Sequence, residues 1–240
     1  MTSAAPTPKV VGQEMKTGTK VLETVIGAVQ SFKPVLNIYE HACGLHFYAH
    51  DMTRQVEAHH YCSHLNEEVR QCVIYDSDEE DARLIGVEYI ISAKLFMALP
   101  EDEKKFWHSH IYEVKSGLLT TPTSPVIPRT VADQTENKIM KDLIDTYGKT
   151  WHFWQVDRGD KLPYGPAQLM MAPLEDSQVD MGKVLVRDDK YKISTVEKRK
   201  IREDIQPKYK KEADADHWAA REDGQVYQTE MILVPQKKKY

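Results

Sequence analysis

The sequence predicts an α+β fold in which N-terminal helices precede a mostly antiparallel sheet and further helices follow in the C-terminal part. Three observations predict this fold. An apolar stripe at helical spacing begins near Thr19, three strand-like runs follow one another between residues 54 and 91, and a charged helical pattern covers residues 196–209. Short polar turns between the strand-like runs are typical of an antiparallel meander.

The length and the net charge of the chain limit its possible domain organisation and partners. The chain has 240 residues, 41% of them hydrophobic, which is enough to bury a substantial core. We expect one domain over residues 17–235, between a flexible tail at 1–16 and a basic tail at 236–240. Lys and Arg number 32 and Asp and Glu number 37, so the formal net charge is −5. This balance argues against nucleic acid as the main partner, because phosphate binding needs a basic surface.

The first helix is predicted from apolar residues three and four positions apart, namely Val21, Leu22, Val25, Ile26, Val29 and Phe32. Helices that lie in a lipid surface usually have a basic polar face and bulky aromatic residues, and this one has few of either. We therefore expect it to pack on the protein's own core, with a lipid anchor as the alternative. Pro34 interrupts the pattern, and residues 35–47 predict a second helix, which Gly44 disfavours.

The predicted meander consists of three strands, over residues 54–64, 69–75 and 83–91. The first strand alternates two sets of side chains. It contains all three histidines of the meander, which is therefore rich in histidine. The elements predicted after it are a helix at 93–99, a strand at 106–119, a Pro-rich connector at 120–130, a helix at 136–147, turns at 158–160 and 164–166, an exposed charged helix at 196–209 and a strand at 227–234.

Histidines are concentrated in two places. Six of the ten lie between residues 41 and 64, and two more flank Ser109. Imidazole is a good ligand for zinc, copper, iron or nickel ions, and histidines two or four positions apart on one strand share a face. Two such pairs and a nearby acid are the candidate ligands of a divalent transition metal ion, and they are His60, His64, His108, His110 and Glu113.

A purely structural role for these histidines, as buried hydrogen-bonding residues or surface residues, is the competing interpretation. The run from His108 to Gly117 resembles the first metal motif of cupins only weakly, because its spacings are too short. On a regular strand Glu113 would also point away from the two histidines, so a bulge would be needed to bring it back. The sequence identifies no catalytic residue and establishes no cofactor.

The three cysteines are Cys43, Cys62 and Cys72. No CxxC pair is present, so a thiolate zinc site is not expected. Their odd, sparse number is typical of a reducing compartment and predicts no disulfide framework. Cys62 stands between two histidines on a predicted strand face, where a nucleophile is conceivable. The favoured interpretation is a small buried apolar residue.

Neither a signal peptide nor a membrane-spanning segment is visible in the sequence. Residues 1–8 lack an apolar run, and the longest apolar stretches contain charged residues, whereas a spanning helix needs roughly 20 apolar residues. We therefore expect any contact with a membrane or a lipid droplet to be peripheral.

Four long motifs resemble the oil body-associated protein family. They are HFYAHDMTRQVEAHHYCSHLNEEVRQCVIYD from His46, ARLIGVEYIIS from Ala82, LFMALPEDEKKFWHSHIYEVKSGLL from Leu95 and WQVDRGDKLPYGPAQLMMA from Trp154. The resemblance covers most of the chain. It implies a cytoplasmic protein found at seed oil bodies, which are lipid droplets, and a link to their stability. The family has no agreed catalytic residues to carry over.

Two hypotheses follow. In the first, a non-enzymatic protein associates peripherally with the droplet surface or its coat proteins and contributes to droplet stability or size. In the second, the histidines form the site of a metal-binding protein or a metal-dependent enzyme located at droplets. The sequence favours the first and does not decide whether the protein is an enzyme.

Overall fold

The computed structural model describes residues 10–124, 126–212 and 214–237. Residues 1–9 of the predicted flexible tail and residues 238–240 of the predicted basic tail lie outside this description. The helices are α1 (Thr17–Val29), α2 (Lys33–Leu36), α3 (Ala93–Met97), α4 (Glu101–Lys104), α5 (Ile111–Ser116), α6 (Arg129–Leu143), α7 (Met181–Tyr191), α8 (Thr195–Ile201) and α9 (His217–Ala220). The strands are β1 (Glu40–Tyr48), β2 (Asp51–Asn66), β3 (Val69–Tyr75), β4 (Leu84–Ser92), β5 (His108–Ser109), β6 (Thr146–His152) and β7 (Gln168–Met171).

The strands form one antiparallel sheet in the order β4-β3-β2-β1-β7-β6-β5, and β4 also pairs with β6. This extra pairing closes six strands on themselves, so that one face of the sheet becomes an enclosed interior. The expected α+β fold with a mostly antiparallel sheet is confirmed, and β2, β3 and β4 form the predicted meander. The register places His60 opposite Ala42, Cys62 opposite Cys72 and Glu88 opposite Thr150, all on the inner face.

Two apolar clusters form the core next to the inner face. The first contains Tyr48, Val56, Ala58, Ile74, Ile85 and Met170. The second joins inner-face residues to helices α5 and α6 and includes Ala42, Ile90, Val114, Leu119, Met140 and Leu143. Burial of one such large side chain stabilises the fold by roughly 1.5–3 kcal/mol.

The predicted helix over residues 35–47 is wrong. The chain forms only the short α2 there and then enters β1, which pairs with both β2 and β7. Pairing with β2 along all of β1, and with β7 at Phe47 and Tyr48, overrides the local helical pattern, because it satisfies backbone groups of these residues. Gly44 suits a strand in this place, since a Cβ there would lie 3.3 Å from Glu113 Oε1 and from Leu119 Cδ1.

Two later strand predictions also differ from the structure. Only His108–Ser109 forms a strand within residues 106–119, and α5 follows, ending at Gly117 in a left-handed conformation. Residues 227–234 form no strand, because no strand of the closed sheet pairs with them. The predicted turns at 158–160 and 164–166 are present, with Gly159 and Gly165 at positive φ.

The predicted exposed helix over residues 196–209 is shorter and partly buried. Helix α8 ends at Ile201, and the side chains of Lys198 and Arg202 are buried beside Glu136 of α6. Glu136 Oε1 lies 2.5 Å from Lys198 Nζ and 2.5 Å from Arg202 Nη2. Burial alone would raise the pKa of Glu136, but the two cations outweigh burial and lower it to about 2. These ion pairs connect the end of α8 to α6.

Helix α1 does not pack on the core, contrary to expectation. None of its residues is buried, and Leu22, Val25 and Val29 of its apolar stripe are 57%, 55% and 76% exposed. Helices α5 and α6, not α1, supply the helical side chains of the core cluster next to the inner face. Among the described residues, none of the helices combines the length and the apolar character needed to cross a bilayer.

A disulfide bond joins Cys62 and Cys72, so the expectation of no disulfide is wrong. The two residues are direct cross-strand neighbours of β2 and β3, with Cα atoms 4.1 Å apart. The register of the strands, which a cysteine count does not reveal, brings them together. Cys62 is therefore not available as a nucleophile, and Cys43 is free and buried.

Candidate metal centre

Glu88 is a buried acid at the middle of the enclosed interior. It lies on β4, in the apolar run around Val87 and Ile90, and only 2% of it is exposed. The alternation of the strand turns Glu88 and Ile90 inward. Burying an ionised carboxylate without a partner costs several kcal/mol, so the surroundings of Glu88 decide whether the fold tolerates it.

Three imidazole rings from two elements surround the Glu88 carboxylate. His60 Nε2 on β2 lies 2.8 Å from Glu88 Oε2. His108 Nε2, on β5, and His110 Nε2, just after it, lie 3.3 Å and 3.5 Å from Glu88 Oε1. All three histidines are at most 4% exposed.

Three further buried side chains extend this cluster. The ring of His46 on β1 lies 4.9 Å from the ring of His60, and His46 Nδ1 lies 3.3 Å from His152 Nε2 on β6. Glu113 reaches the cluster from α5, with Oε2 3.9 Å from His108 Nε2. We call the whole set the histidine–carboxylate centre, and its members are His46, His60, Glu88, His108, His110, Glu113 and His152.

Several polar atoms of the centre have no hydrogen-bond partner among the described residues. They are both ring nitrogens of His60 and of His108, Nδ1 of His152, and Glu88 Oε1. The contacts of His60 and His108 with Glu88 are short, but they lack hydrogen-bond alignment. Buried polar groups are normally paired, so an unpaired group of this size calls for an explanation.

The proton position on His110 is determined by its neighbours. Thr146 Oγ1 donates its single proton to the Leu143 carbonyl oxygen at 2.7 Å. It therefore accepts from His110 Nδ1, which lies 2.8 Å away, so this nitrogen carries a proton. In the neutral ring Nε2 then presents a lone pair toward Glu88. Metal-binding histidines are commonly oriented in this way, by a hydrogen bond from the other ring nitrogen.

The charges of the centre depend on Glu88. Burial alone would raise the pKa of Glu88, but the surrounding imidazoles, His60 above all, lower it well below its usual value. Burial likewise opposes the charged form of His60 and His108, and the Glu88 carboxylate outweighs it and raises both pKa values. The centre without a metal is thus a buried cluster of opposite charges.

Two other members, His46 and His152, are neutral imidazoles near neutral pH. Burial, together with nearby His60, holds the pKa of His46 well below its usual value and lowers that of His152 to about 3. Burial also raises the pKa of Glu113. Neutral imidazole is the form that binds metal ions, so His46 and His152 are ready to act as ligands.

The ligand atoms are close enough to bind an ion. Those of His46, His60 and Glu88 lie within 4.8 Å of one another, and so do those of Glu88, His108 and His110. A cavity of about 20 Å³ adjoins them, with apolar walls from Ala42, Ile90, Leu119 and Leu143. This volume holds one water-sized molecule and excludes a lipid.

Gly148 of β6 leaves room for the centre. A Cβ atom at this position would lie 2.8 Å from His108 Nε2 and closer still to Glu88 Oε1. Real Cβ atoms do not come so near, so a side chain at residue 148 would displace the carboxylate or the imidazole.

Four of the five candidate ligands predicted from sequence lie together. His60, His108, His110 and Glu113 are members of the centre, and Glu113 reaches it because the chain turns into α5 at Ile111, where a regular strand would have pointed it away. His64 is apart from the others. It lies at the exposed end of β2, where its ring accepts a hydrogen bond from its cross-strand neighbour Arg70.

Sequence reasoning missed Glu88, His46 and His152. A charged residue in the apolar run LIGVEYIIS is a detectable signal for Glu88, because burial of a lone acid in a strand needs a partner. His46 was counted among the clustered histidines but lay in a segment that we expected to be helical. His152 has no local signal, because only the pairing of β6 with β4 brings it to the interior.

A separate, smaller polar group lies on the other face of β1 and β2. His59 Nε2 is 2.9 Å from Glu57 Oε1 and 3.9 Å from Cys43 Sγ, and His59 Nδ1 is 3.0 Å from His41 Nε2. These contacts satisfy the imidazole of His59 without an ion. Burial raises the pKa of the Cys43 thiol, which keeps it protonated near neutral pH.

The fold and the centre together define an α+β protein whose closed antiparallel sheet encloses a buried histidine–carboxylate cluster. A family model described as "Protein of unknown function (DUF1264)" matches residues 32–206, which include all seven residues of the centre. No solved structure matches the chain.

Named relatives identify the family more closely. Oil body-associated protein 1B of Arabidopsis thaliana is 54% identical over 172 residues, which cover 72% of this chain and 68% of that protein. Oil body-associated protein 1A of Zea mays is 45% identical over 202 residues, covering 84% and 82%. Oil body-associated protein 2A of Zea mays is 45% identical over 216 residues, covering 89% and 83%. The chain belongs to the oil body-associated protein family, as its motifs predict.

Proposed function

We propose that this protein binds a divalent transition metal ion in the histidine–carboxylate centre and acts at the surface of oil bodies. The observation that supports metal binding is the convergence of three imidazole Nε2 atoms on the buried Glu88 carboxylate, within 3.5 Å. Imidazole and carboxylate together suit zinc, iron, manganese, copper or nickel ions.

A buried ion cluster without a metal is the alternative. Such clusters are stable only when their geometry is good and their remaining polar atoms are paired, because each buried charge loses several kcal/mol of hydration. The nitrogens of His60 and His108 do not meet this condition within the described part of the chain. Ligands that point to a common ion, rather than to one another, account for short contacts without hydrogen-bond alignment.

A bound ion would supply Lewis acidity and would lower the pKa of a bound water molecule. The surrounding residues would determine what reaches it. His110 is held in place by Thr146, and the 20 Å³ cavity beside the ligands has room for about one water molecule. The role proposed at the oil body therefore requires no reaction of a lipid at this centre.

The test is the metal content of protein purified without an affinity tag, measured by elemental analysis. We expect bound transition metal in the wild type, and its loss in Glu88→Gln and in the double variant His60→Ala/His108→Ala. His64→Ala is the matched control, because it removes an imidazole from the same strand outside the centre. Circular dichroism and thermal unfolding establish that each variant is folded. A folded wild type that neither contains nor takes up a transition metal would refute the proposal.

We also infer that the protein associates peripherally with oil bodies and contributes to their stability or size. The names of its relatives support the location, and the exposed apolar stripe of α1 offers a surface for contact with the phospholipid layer. Contiguous exposed apolar surface on a soluble fold commonly marks an interaction site. Coat proteins of the oil body are the alternative partners.

Fluorescent fusions in oil-storing cells test the anchor. We expect the triple variant Leu22→Ser/Val25→Ser/Val29→Ser to leave the oil-body surface. A polar-face control, Lys20→Ser/Glu23→Ser/Thr24→Ser, should remain there, because it leaves the apolar stripe intact. If deletion of residues 17–32 leaves targeting unchanged, α1 is excluded as the anchor and recruitment by coat proteins takes its place.

A further inference from the structure

The histidine–carboxylate centre consists of two ligand sets that share Glu88. One set contains His46 and His60, from β1 and β2. The other contains His108 and His110, from β5 and the residue that follows it. In each set the ligand atoms, including one oxygen of Glu88, lie within 4.8 Å of one another.

The two oxygens of Glu88 are divided between these sets. Oε2 lies 2.8 Å from His60 Nε2, whereas Oε1 lies 3.3 Å from His108 Nε2 and 3.5 Å from His110 Nε2. A carboxylate that turns one oxygen to each of two groups of imidazoles has the arrangement of a bridging ligand. In a bridging carboxylate each oxygen binds its own ion, and here each oxygen has its own imidazole neighbours.

Each set gains one more buried ligand. His152 Nε2 lies 3.3 Å from His46 Nδ1, and Glu113 Oε2 lies 3.9 Å from His108 Nε2. If His152 joins the first set through its contact with His46, that set has three imidazoles and one carboxylate oxygen. If Glu113 joins the second through its contact with His108, that set has two imidazoles and two carboxylates. Protein sites for zinc usually use three or four protein ligands, so seven residues exceed what one such ion takes and suffice for two.

The cost of burial supports the same division. His46 and His152 are fully buried, at 1% and 0% exposure, on β1 and β6. Nδ1 of His152 has no hydrogen-bond partner among the described residues. Binding of an ion by this buried imidazole would help to offset the cost of burying it. A single ion bound by His108 and His110 would leave His46 and His152 without a metal ion.

We propose that the centre holds two divalent transition metal ions bridged by Glu88, one bound by His46, His60 and His152 and the other by His108, His110 and Glu113. This inference rests on the proposed function, since it specifies the occupancy of the same centre. Two-metal sites stabilise both the attacking and the leaving oxygen in hydrolytic reactions. The small adjoining cavity restricts any ligand here to a water-sized molecule such as water or hydroxide.

The experiment is a titration of metal-depleted, full-length protein with Co²⁺, followed by absorption and by equilibrium dialysis. We expect saturation at two ions per chain. The double variants His46→Ala/His152→Ala and His108→Ala/His110→Ala should each retain one ion, because each keeps the opposite set. His64→Ala, the control outside the centre, should still bind two.

Magnetic coupling between the ions is the second readout. Protein loaded with Mn²⁺ should show an exchange-coupled resonance spectrum, which both double variants lose. Saturation at one ion in the folded wild type would overturn the two-ion proposal and leave the proposed metal binding standing. Two ions without coupling would overturn the bridging role of Glu88. No binding at all would refute both proposals together.

Discussion

His60 Nε2 lies 2.8 Å from Glu88 Oε2, although His60 is on β2, Glu88 is on β4, and β3 separates the two strands. Neighbouring strands are about 4.8 Å apart, so this contact spans about twice that spacing. Long side chains bridge it because the sheet closes on itself and turns both residues into the same interior. The charge on each residue therefore depends on the other.

Metal affinity should fall as the pH is lowered. The Glu88 carboxylate raises the pKa values of His60 and His108 above 6.5, against the effect of burial. Protons therefore compete with the ion already above pH 6.5, and each proton released on binding changes the affinity by about tenfold per pH unit. Co²⁺ titrations at about pH 6 and about pH 8 measure this effect. An affinity that is constant over this range would contradict the prediction.

The substitution Gly148→Ala should destroy the centre. Its methyl group would overlap Glu88 Oε1 and lie 2.8 Å from His108 Nε2, so we expect loss of bound metal and a cost of about 1–3 kcal/mol in unfolding free energy. Elemental analysis and urea denaturation measure the two effects. Gly27→Ala in α1 is the control, because nothing lies within 4 Å of the added methyl group. The control should keep its metal and should not lose stability, because Ala favours a helix more than Gly does.

Removal of the buried acid in Glu136→Gln should lower the unfolding free energy by about 3–5 kcal/mol, because Lys198 and Arg202 would remain buried without their partner. Glu197→Gln on α8, the helix that carries Lys198, is the matched change. Its exposed pair with Lys200 is worth less than about 1 kcal/mol, so we expect little effect. Chemical denaturation of both variants at neutral pH makes the comparison.

The same acid predicts how stability depends on pH. The pKa of Glu136 falls from 4.5 to about 2 on folding, so its contribution is complete above pH 4.5 and is lost as the pH drops toward 2. The contribution is on the order of 3 kcal/mol. The wild type should therefore lose more stability than Glu136→Gln across this range. Parallel loss in the two proteins would argue against a charged Glu136 in the folded state.

Reduction of the disulfide between Cys62 and Cys72 should destabilise the protein. The bond closes a loop across a sequence separation of 10, and loops of this size contribute about 2–4 kcal/mol. Denaturation with and without a reductant measures the difference. Cys62→Ala/Cys72→Ala should show no dependence on the reductant, whereas Cys43→Ala should retain it. Thiol titration of the denatured, unreduced wild type should detect one thiol, that of Cys43.

The alternation of side chains and the turn residues in the sequence correctly predicted the antiparallel meander and two turns. The meander of β2, β3 and β4 follows from alternating side chains and short polar turns, and the turns at Gly159 and Gly165 follow from residues that favour a left-handed backbone. The helix predicted over residues 35–47 failed because pairing of β1 with β2, and with β7 at its end, outweighs a local helical preference. Local sequence cannot express a preference that arises from partners far along the chain.

The sequence also predicted the candidate site only in part. Histidines two positions apart predicted that His108 and His110 would point together, and both approach Glu88. The same argument paired His60 with His64, but β2 extends past the interior, so His64 emerges at the exposed end. Parity along a strand predicts the face of a residue, whereas its depth in the closed sheet depends on where the strand begins and ends relative to its neighbours.

The sequence by itself determined the family, the α+β class, the antiparallel meander and the concentration of imidazole side chains. Each of these depends only on residue types and on short spacings along the chain. Only the tertiary structure decided which of those imidazoles meet, that Glu88 lies among them, and that α1 leaves its apolar stripe exposed. The physical reason is the closure of the sheet. Pairing of β4 with β6 joins residues 54 to 66 positions apart, and no local pattern encodes that pairing.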